Sequence, residues 1–540
     1  MRRLSLIWLF LELLAVSCTP AVSTRETVTP TLTPPNSVAP GVTVTASLTP
    51  SPVPSATLTP TPQPRLTVLP SGPDLENFAP GASPLTGRVV SDPSLLKIPA
   101  MLVSISNSPV TARPQAGPAF ADWIFELFIG TGATRFLGVF QGEYPRPVPN
   151  LGGDCPVRAE MTFPEGSWLG NRVWLDENGN NRQDDWEQGV GGVCVELRDQ
   201  ATGSLLAQTT TDSNGYFALA VSEEPLSVFI QLQKPEKYTF VAPNQGDDDR
   251  DSDFDRATGL AVPERVDASW DAGLALVEPP AAGEGRVQPI RSGRLTYATI
   301  NKMFPFSCLA FAGAGEGILE RLDACWIVYG TDSDDVNDGL LVSSEMRSLA
   351  AGNLTFRPIN YSGHLFDPAP PPGGLAAEKL GVFYHTFNQA EWRYDPVSQT
   401  YLRWIDFQDG SGRLTPALDA LTERQLAFEN VIVIYATHDV FRHLQYDINL
   451  RPGQEGYAFL FRDGQLYKIR WSTGNREWEK KTGLIRPIHF IGTDKQPFPL
   501  KPGRTFIHIL TEFSAVEDLK DGNWRAFFVV PNDPAPTPEK

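Results

Sequence analysis

The sequence is short of basic residues. It has 45 Lys and Arg against 63 Asp and Glu, which gives a formal net charge of −18 at pH 7. Proteins that bind nucleic acid need clustered positive charge to neutralise the phosphates. The composition therefore argues against nucleic acid as a partner.

The sequence also lacks an apolar run that would comfortably span a membrane. Its N-terminal run, residues 4–14, follows Arg2 and Arg3 and gives way to small residues before Cys18. A charged start, a short apolar segment and small residues are typical of a secretory signal peptide. The end of this segment resembles a bacterial lipobox, which implies that Cys18 is lipidated and anchors the protein to the membrane. Plain secretion, with Cys18 removed or idle, is the alternative.

Cysteine is scarce, with 5 in 540 residues. Without Cys18 an even number remains, as expected for an exported protein. Proximity along the chain favours the pairs Cys155–Cys194 and Cys308–Cys325, although three connectivities exist and two pairs of buried free thiols are the alternative. The sequence contains no CxxC, HExxH or GxSxG motif, so it offers no recognisable zinc site or serine nucleophile.

Residues 19–83 consist largely of Thr, Pro and Ser. The 55 residues 19–73 contain 13 prolines, which prevent regular structure and favour extended polyproline conformations. At roughly 3.1 Å per residue, such a segment reaches about 170 Å when fully extended. We predict a stalk that holds a globular part away from the membrane.

Acidic residues are concentrated in residues 167–276. This stretch has 20 acidic and 8 basic residues, a net of −12 out of the total of −18. Oxygen-bearing side chains occupy positions 1, 3, 5, 9 and 12 of a window that begins at Asp176, which is the ligand spacing of a calcium loop. The predicted ligands are Asp176, Asn178, Asn180, Asp184 and Glu187.

A second acidic run lies further along the same stretch. We predict that it holds another calcium ion through Asp247, Asp249, Asp251 and Asp253, with a contribution from Asp212. A solvated acidic loop is the alternative interpretation. Calcium would act as a structural ion, because sites of this kind bind with a Kd of about 10⁻⁴ to 10⁻³ M and extracellular calcium is abundant.

Short alternating runs with turns every eight to twelve residues predict that residues 167–276 form a β-sandwich. The calcium window, the TDSNGYF turn, the run DSDFDRATG and the closing DAGL resemble the B-type domains of Gram-positive serine-aspartate repeat adhesins. The resemblance implies a calcium-stiffened spacer or binding module without catalytic residues.

The segments on either side of this module resemble the YerB-type family of bacterial envelope lipoproteins, a domain of unknown function. The resemblance rests on PLTG, SNSPVTARPQAG, ADWIFE, GATRFLGVFQ, EWRYDPVSQTYLRW and FPLKPGRTFIHI. It implies one host domain that is interrupted by the adhesin-like module. Within the first segment, residues 100–105 and 136–140 are predicted to be buried strands, and residues 119–128 a helix.

Several polar residues of the host motifs are candidates for a ligand cleft. Arginines paired with carboxylates on neighbouring strands line anion-binding clefts, but they also form buried structural ion-pair networks. The structural network is the favoured interpretation. The candidates are Asn107, Arg113, Asp122, Glu126, Arg135, Arg291 and Arg294.

The predicted fold class is multidomain α+β: an α/β-type host domain, interrupted by a calcium-binding β-sandwich and followed by a mostly β C-terminal domain. The predicted boundaries are a signal peptide (1–18), a stalk (19–83), the host domain (84–144 and 286–365), connections (145–166 and 277–285), the insert (167–276), a linker (366–374), the C-terminal domain (375–515) and a tail (516–540).

The leading functional hypothesis is a non-catalytic, extracytoplasmic lipoprotein that acts in cell-envelope binding, scaffolding or adhesion. Its expected partners are the membrane, through the lipid, and a cell-wall glycan or a surface protein. The rival hypothesis is an envelope enzyme acting on peptidoglycan or another anionic glycan. Gathering of the candidate carboxylates in one cleft would favour the rival, and dispersal into saturated salt bridges would favour scaffolding.

Overall fold

The computed structural model describes residues 70–147, 152–156, 167–221, 226–278, 283–328, 335, 337–396, 398–442 and 445–531. The predicted signal peptide, Cys18 and most of the predicted stalk lie outside the described residues. Every described residue falls within one compact unit, Leu66–Lys540. We call residues 167–276 the insert and the other described residues the host.

The first host segment contains three strands, β1 (Met101–Ser106), β2 (Trp123–Gly130) and β3 (Ala133–Phe140). The predicted strands at 100–105 and 136–140 are therefore confirmed. The predicted helix at 119–128 is wrong, because only a 3-10 turn (Pro118–Phe120) precedes the strand β2. This strand is apolar along most of its length because it is buried on both faces, and periodicity alone does not separate such a run from a buried helix.

The insert contains eight strands. They are β4 (Trp168–Leu175), β5 (Cys194–Asp199), β6 (Leu205–Thr210), β7 (Tyr216–Ala220), β8 (Val228–Gln233), β9 (Tyr238–Phe240), β10 (Leu260–Ala261) and β11 (Ala272–Leu276). They form two four-stranded sheets, ordered β10-β8-β5-β6 and β7-β4-β11-β9. Apolar residues of both sheets, among them Val173, Val195 and Leu274, share one core. The predicted β-sandwich is confirmed.

Most of the regular secondary structure in the rest of the host is strand. Its strands are β12 (Arg286–Val287), β13 (Cys308–Phe311), β14 (Trp326–Ile327), β15 (Leu341–Val342), β16 (Leu375–Ala376), β17 (Lys379–His385), β18 (Asn388–Asp395), β19 (Thr400–Asp406), β20 (Leu414–Pro416), β21 (Ala427–Phe428), β22 (Asn430–Tyr435), β23 (His438–Arg442), β24 (Gln445–Ile448), β25 (Glu455–Arg462), β26 (Gln465–Ser472), β27 (His489–Ile491), β28 (Thr505–Leu510), β29 (Ala515–Lys520) and β30 (Asn523–Phe527). The helices are α1 (Tyr297–Lys302), α2 (Ser343–Gly352) and α3 (Glu477–Thr482), with further 3-10 turns at Leu75–Asn77, Pro93–Lys97, Val110–Ala112 and Leu319–Arg321. None of the described helices is long and apolar enough to cross a membrane.

An eleven-stranded mixed sheet unites the host segments that flank the insert. Its order is β14-β13-β1-β3-β2-β28-β22-β25-β26-β16, with β27 paired to β26. Both faces are buried, since Met101, Val103 and Ile105 of β1 pack in one hydrophobic cluster and Leu102 packs in the other. The residues before and after the predicted linker thus share a sheet. The predicted multidomain α+β class is confirmed, with strands far outnumbering helices.

A second host sheet has seven strands, ordered β20-β19-β18-β17-β30-β29, with β21 paired to β19. Two of them, β29 and β30, lie almost wholly within residues 516–540, so the prediction of a mere tail there is wrong. They are placed in the sheet because Trp524 and Ala526 of β30 are buried against the host core. This sheet lies over one face of the larger sheet and carries Arg403 toward it.

The insert leaves and rejoins the host at one point, which we call the neck. A Cβ atom added at Gly285 would lie 1.8 Å from the carbonyl oxygen of Pro145, so the outgoing and incoming segments touch and only glycine fits there. Ser343, the first residue of α2, donates its hydroxyl to the same Pro145 carbonyl and its N–H to the carbonyl of Gly285 (2.8 Å). The host thereby ties both ends of the insert together.

Candidate functional site

The predicted calcium loop lies between β4 and β5 of the insert. The carboxylate of Asp176 accepts three successive backbone N–H groups, from Gly179 (2.7 Å), Asn180 (3.1 Å) and Asn181 (2.9 Å). Asn181 has a φ of 61°, so the chain turns at position 6 of the loop through a residue that tolerates this conformation. Asp176 therefore closes the loop around its own side chain.

Glu187 holds the far end of the loop. Its two carboxylate oxygens accept the N–H groups of Glu177 (2.8 Å) and Asp184 (3.0 Å). Burial raises the pKa of Glu187 to about 8, and the neighbouring Asp176 and Asp184 carboxylates add to this shift. A carboxylate so placed is costly to ionise until a cation neutralises its neighbours.

The side chains between these ends converge on one oxygen. Asn178 and Asn180 both donate their side-chain N–H groups to Oδ2 of Asp184, at 2.8 and 2.9 Å. Two donors aimed at one carboxylate oxygen mark a place where positive charge is favoured. Their carbonyl oxygens, which are the atoms that calcium binds, accept the backbone N–H groups of Asn180 (3.0 Å) and Arg182 (2.8 Å). The residue types therefore suit calcium, but in this arrangement their oxygens are engaged by the loop itself.

Only some of the acidic residues in the second run are removed from solvent. Asp251 is buried, and its Oδ2 accepts the N–H of Gly246 (2.7 Å), while Oδ1 has no hydrogen-bond partner among the described residues. Asp253 accepts the N–H of Asp271 (2.6 Å), and burial raises the pKa of Asp253 to about 8. The remaining predicted ligands, Asp247 and Asp249, are exposed.

For two acidic residues of the insert, the structure differs from the prediction made from the sequence. Asp271, in the closing DAGL, was not predicted as a ligand, yet it is fully buried next to Asp253. Asp212 does not join the second acidic run, because its carboxylate accepts the N–H groups of Asn214 and Tyr216 within a turn (both 2.8 Å). In the described part of the chain, no group of three or more His, Cys, Asp and Glu side chains is arranged to hold a metal ion. Calcium binding stays a prediction.

In the host, Glu126 lies at the centre of a buried polar network. Its carboxylate contacts Nη2 of Arg403 at 3.3 Å and Nδ1 of His508 at 3.2 Å, and it accepts hydrogen bonds from Asn107 (3.2 Å) and Thr134 (2.6 Å). Burial acts to raise the pKa of Glu126, but Arg403 and His508 outweigh it and lower the pKa to about 2. The acceptor capacity of this carboxylate is filled by the protein itself.

Arg113 and Asp122 lie apart from each other. Arg113 donates to the carbonyl of Asp406 (2.8 Å) and to that of Asn107 (3.1 Å). Asp122 accepts the N–H of Gln141 at 2.6 Å, and burial raises its pKa well above the usual range. Only Arg113 is therefore an extension of the network around Glu126.

The other three candidates form a cationic group. Nη1 of Arg135 donates to the carbonyl of Ser292 (3.3 Å). Burial, with the nearby Arg294 and Arg291, lowers the pKa of Arg135 to about 9. The seven predicted cleft residues thus fall into three places, and the two carboxylates do not share a cleft.

The two pairs of cysteines favoured by the sequence are joined in the structure. Cys155 and Cys194 form a disulfide with their Cα atoms 5.0 Å apart, and Cys308 and Cys325 form one with a Cα separation of 5.3 Å. The first ties the start of β5 to the connection that precedes the insert. The second lies in the host.

Sequence reasoning missed the partners that come from the second half of the chain. Neither Arg403 nor His508 is among the predicted site residues, although both contact Glu126. Arg403 lies 277 residues from Glu126 along the chain. No local motif reports a contact of that separation, so only the three-dimensional fold reveals it.

Comparison with protein families matches three segments of the chain. Residues 85–158 match the N-terminal domain and residues 380–507 the C-terminal domain of a protein of unknown function (DUF3048). Residues 167–274 match the SdrD B-like domain. The chain thus carries the DUF3048 N- and C-terminal domains split by an SdrD B-like domain.

Several curated proteins are similar to part of the chain. The chain is 33% identical over 198 residues to serine-aspartate repeat-containing protein F of Staphylococcus epidermidis, covering 31% of this chain and 12% of that protein. It is 32% identical over 120 residues to a fibrinogen-binding protein of the same species, covering 21% and 11%. It is 42% identical over 94 residues to serine-aspartate repeat-containing protein C of Staphylococcus aureus, covering 17% and 10%. The chain therefore spans about a tenth of the length of these relatives.

A solved structure is also similar to the chain. The crystal structure of the YerB protein from Bacillus subtilis aligns with a TM-score of 0.43 and 17% identity. The alignment covers 80% of this chain and 97% of that protein.

Proposed function

We propose that this protein is a non-catalytic, extracytoplasmic lipoprotein that acts in cell-envelope binding, scaffolding or adhesion. The observation that carries the proposal is the SdrD B-like insert within a DUF3048 host. The N-terminal segment before Cys18 supports export and a lipid anchor. The insert would be the adhesive or spacing module, and its partner a cell-wall glycan or a surface protein.

Calcium would stiffen the insert. Asp176, Asn178, Asn180, Asp184 and Glu187 would hold one ion, and Asp251 and Asp253 would contribute to a second. A bound cation would remove the repulsion among carboxylates that are only a few residues apart. The insert would then keep one shape in calcium-containing surroundings, as a spacer requires.

The buried network of the host supports scaffolding over catalysis. The Glu126 carboxylate is saturated by four partners and held ionised, so it has little capacity left for a substrate. Buried groups that are saturated by partners within the protein have a structural role. A general acid or base must instead be able to reach the reacting atoms of a substrate.

One observation favours the rival enzyme hypothesis. Burial holds the pKa of Asp122 well above its usual range, which favours the protonated form that a general acid needs. Incubation of purified peptidoglycan with the full chain and with Asp122→Asn separates the two hypotheses. Release of soluble fragments by the wild type but not by the variant would establish the enzyme, and no release by either would support scaffolding.

The proposed function is tested by sedimentation of the full chain with purified cell-wall material. We expect co-sedimentation in calcium that falls in chelator, because the chelated insert is less rigid. The double substitution Asp176→Ala with Glu187→Ala should behave in calcium as the wild type does in chelator. Glu264→Gln, an exposed acid of the same module, is the matched control.

Two further outcomes decide between parts of the proposal. Absence of co-sedimentation in both conditions would contradict an envelope-binding role. Calorimetry that detects no calcium binding to the chelator-treated full chain would contradict the metal sites. Lipidation is tested separately, since Cys18→Ser should release the protein from the membrane fraction.

A further inference from the structure

A cavity of about 270 Å³ lies at the seam between the insert and the host. We call it the seam cavity and define it by six of its lining residues. Arg172, Trp186 and Tyr216 come from the insert, and Phe120, Arg424 and Glu429 come from the host. The cavity exists only because the insert is docked, so neither part forms it alone.

The carboxylates that line the seam cavity are engaged elsewhere. Glu429 forms an ion pair with Arg88 (3.0 Å), and Asp185 forms one with Arg250 (3.0 Å). Glu143 accepts the N–H of Ser91 (2.6 Å). Asp122 and Glu187, which also line the cavity, accept the backbone N–H groups described above. Among the described residues, none of these acids forms an ion pair with Arg172 or Arg424.

In the described part of the chain, the guanidinium groups of Arg172 and Arg424 donate hydrogen bonds only to neutral carbonyl groups. Arg172 donates to the carbonyls of Asn214 (3.2 Å) and Glu187 (2.9 Å), and Arg424 donates to the carbonyl of Gly189. Among the described residues, neither guanidinium forms an ion pair with a carboxylate. Both arginines line the seam cavity, and burial together with the proximity of Arg172 lowers the pKa of Arg424 to about 10. Asp212 lies near both arginines and Glu177 lies near Arg424, but none of these pairs is in direct contact, so a bound anion would supply the charge-assisted hydrogen bonds that both guanidinium groups lack.

The wall that carries Arg424 is anchored to the rest of the host. Asp419 is fully buried, and its Oδ2 accepts the N–H groups of Gly117 (3.0 Å) and Ala119 (2.9 Å), next to Phe120. These bonds fix the Arg424 segment against the turn that precedes β2. The arginine side of the cavity is thus held in place before any ligand arrives, which reduces the entropy cost of binding.

Aromatic rings complete the seam cavity. The Arg172 guanidinium lies 5.4 Å from the ring centre of Tyr216, and Trp186 and Phe120 line the same space. Arginine forks bind carboxylates in a bidentate way, and aromatic faces are amphipathic surfaces suited to stacking against rings. The volume lies just below the roughly 300–1,000 Å³ of pockets for drug-sized ligands, so it suits a single sugar ring.

We propose that the seam cavity binds a carboxylate-bearing sugar, with the carboxylate held between Arg172 and Arg424 and the ring against Trp186 and Tyr216. This inference deepens the proposed envelope-binding role, on which it rests for the source of the sugar. The insert then supplies half of a composite binding site in addition to acting as a spacer.

The test is calorimetric titration of the full chain, in calcium, with glucuronic acid and with glucose. We expect one glucuronate per chain, bound at least about tenfold more tightly than glucose, because charge-assisted hydrogen bonds are the strong ones. Arg172→Gln and Arg424→Gln should each weaken glucuronate binding on the order of 10- to 100-fold. Arg413→Gln, which alters an exposed arginine outside the cavity, should bind as the wild type does.

The outcomes separate this site from an unspecific anion site. Equal binding of glucuronate and glucose, or unchanged binding in both cavity variants, would overturn the proposal. Binding of inorganic phosphate as tightly as glucuronate would overturn the sugar assignment and leave a simple anion site. Failure of glucuronate to bind, with calcium binding and cell-wall sedimentation intact, would sink the seam site and leave the proposed function standing.

A measurement on the unaltered chain covers the case in which the arginine variants do not fold. Hydrogen exchange of the wild type should slow in residues 172–190 and 422–429 when glucuronate is added, and not when glucose is added. Unchanged exchange in both segments at saturating glucuronate would contradict the proposal.

Discussion

Glu126 of the host and the pair Glu187 and Asp253 of the insert are carboxylates with opposite surroundings. In the host, Glu126 lies against Arg403 and His508, so its counter-charge is part of the fold. In the insert, Glu187 and Asp253 lie against backbone N–H groups and other carboxylates, and their pKa values rise to about 8. The cation that balances Glu126 is therefore part of the fold, whereas Glu187 and Asp253 form no ion pair among the described residues. The comparison teaches that stability of the two parts depends on different conditions.

The largest expected effect comes from removing the internal cation of the host. Arg403→Met leaves the Glu126 carboxylate buried beside only a histidine, and breaking a buried ion pair in this way costs about 3–5 kcal/mol. Urea unfolding followed by tryptophan fluorescence measures the loss. Arg525→Met is the control, because that arginine is 50% exposed and pairs with an exposed glutamate, so its loss costs under about 1 kcal/mol. Equal losses in the two variants would contradict the comparison.

Acid should weaken the host before the insert. Burial lowers the pKa values of His364 and His438 to about 4, from an ordinary value of 6.5. The unfolded chain then binds protons that the folded host does not, so stability is full above about pH 6.5 and is lost as pH falls toward 4. Between pH 7 and pH 5 the loss is about 2 kcal/mol for each buried imidazole. The insert, residues 167–276, contains no histidine.

Hydrogen exchange at pH 7 and pH 5, corrected for intrinsic rates, measures this difference. Protection of β22 and β28 should fall more than protection of β5 and β8. His364→Gln should reduce the pH dependence of the host, whereas His385→Gln, at an exposed histidine, should leave it unchanged. A loss of protection that is larger in the insert would refute the assignment to the host histidines.

Calcium should change the stability of the insert and leave the stability of the host unchanged, which is the reverse of the effect of acid. At 1 mM calcium and a Kd of about 10⁻⁴ M, binding stabilises the insert by about 1.4 kcal/mol. Chelator should therefore increase hydrogen exchange in β4 and β5 and leave β22 unchanged. The double substitution Asp176→Ala with Glu187→Ala should abolish the response, and an equal response in host and insert would argue against a site confined to the insert.

The smallest expected effect lies at Asn181. Asn181→Gly removes the strain of a left-handed φ but also removes the oxygen that accepts the N–H of Ala242 (2.9 Å), so the two changes should cancel to within about 0.5 kcal/mol. Asn181→Ala loses the same hydrogen bond and keeps the strain, and it should be about 1 kcal/mol less stable than the glycine variant. Hydrogen exchange of the loop in calcium measures both. Identical exchange in the two variants would show that the backbone conformation contributes nothing.

Local sequence patterns predicted the insert well and the host less well. The insert alternates because each of its sheets has one buried face, and its loop ligands lie within twelve residues, so both signals are local. The strand β2 was mistaken for a helix because it is apolar on both faces. The strands β29 and β30 were assigned to a tail because their pairing with β17 joins segments far apart in the chain.

The candidate sites show the same difference between contacts that are local in the sequence and contacts that join distant segments. Asp176 and Glu187 were predicted together because the chain itself brings them close. Glu126 was among the candidates, but its contact with Arg403 was not predicted, because it depends on how two sheets pack. The arginines of the seam cavity, Arg172 and Arg424, belong to different segments and no motif joins them.

The neck at Pro145 and Gly285 has a consequence for how such a protein is assembled during evolution. Because the outgoing and incoming segments touch, a module of any length can occupy the loop between them without displacing a strand of the host. The insert is in this sense an exchangeable module. Replacing it by another module would leave the host folded, but it would replace every residue that the insert contributes to the seam cavity. A new module would therefore bring a new ligand preference with it.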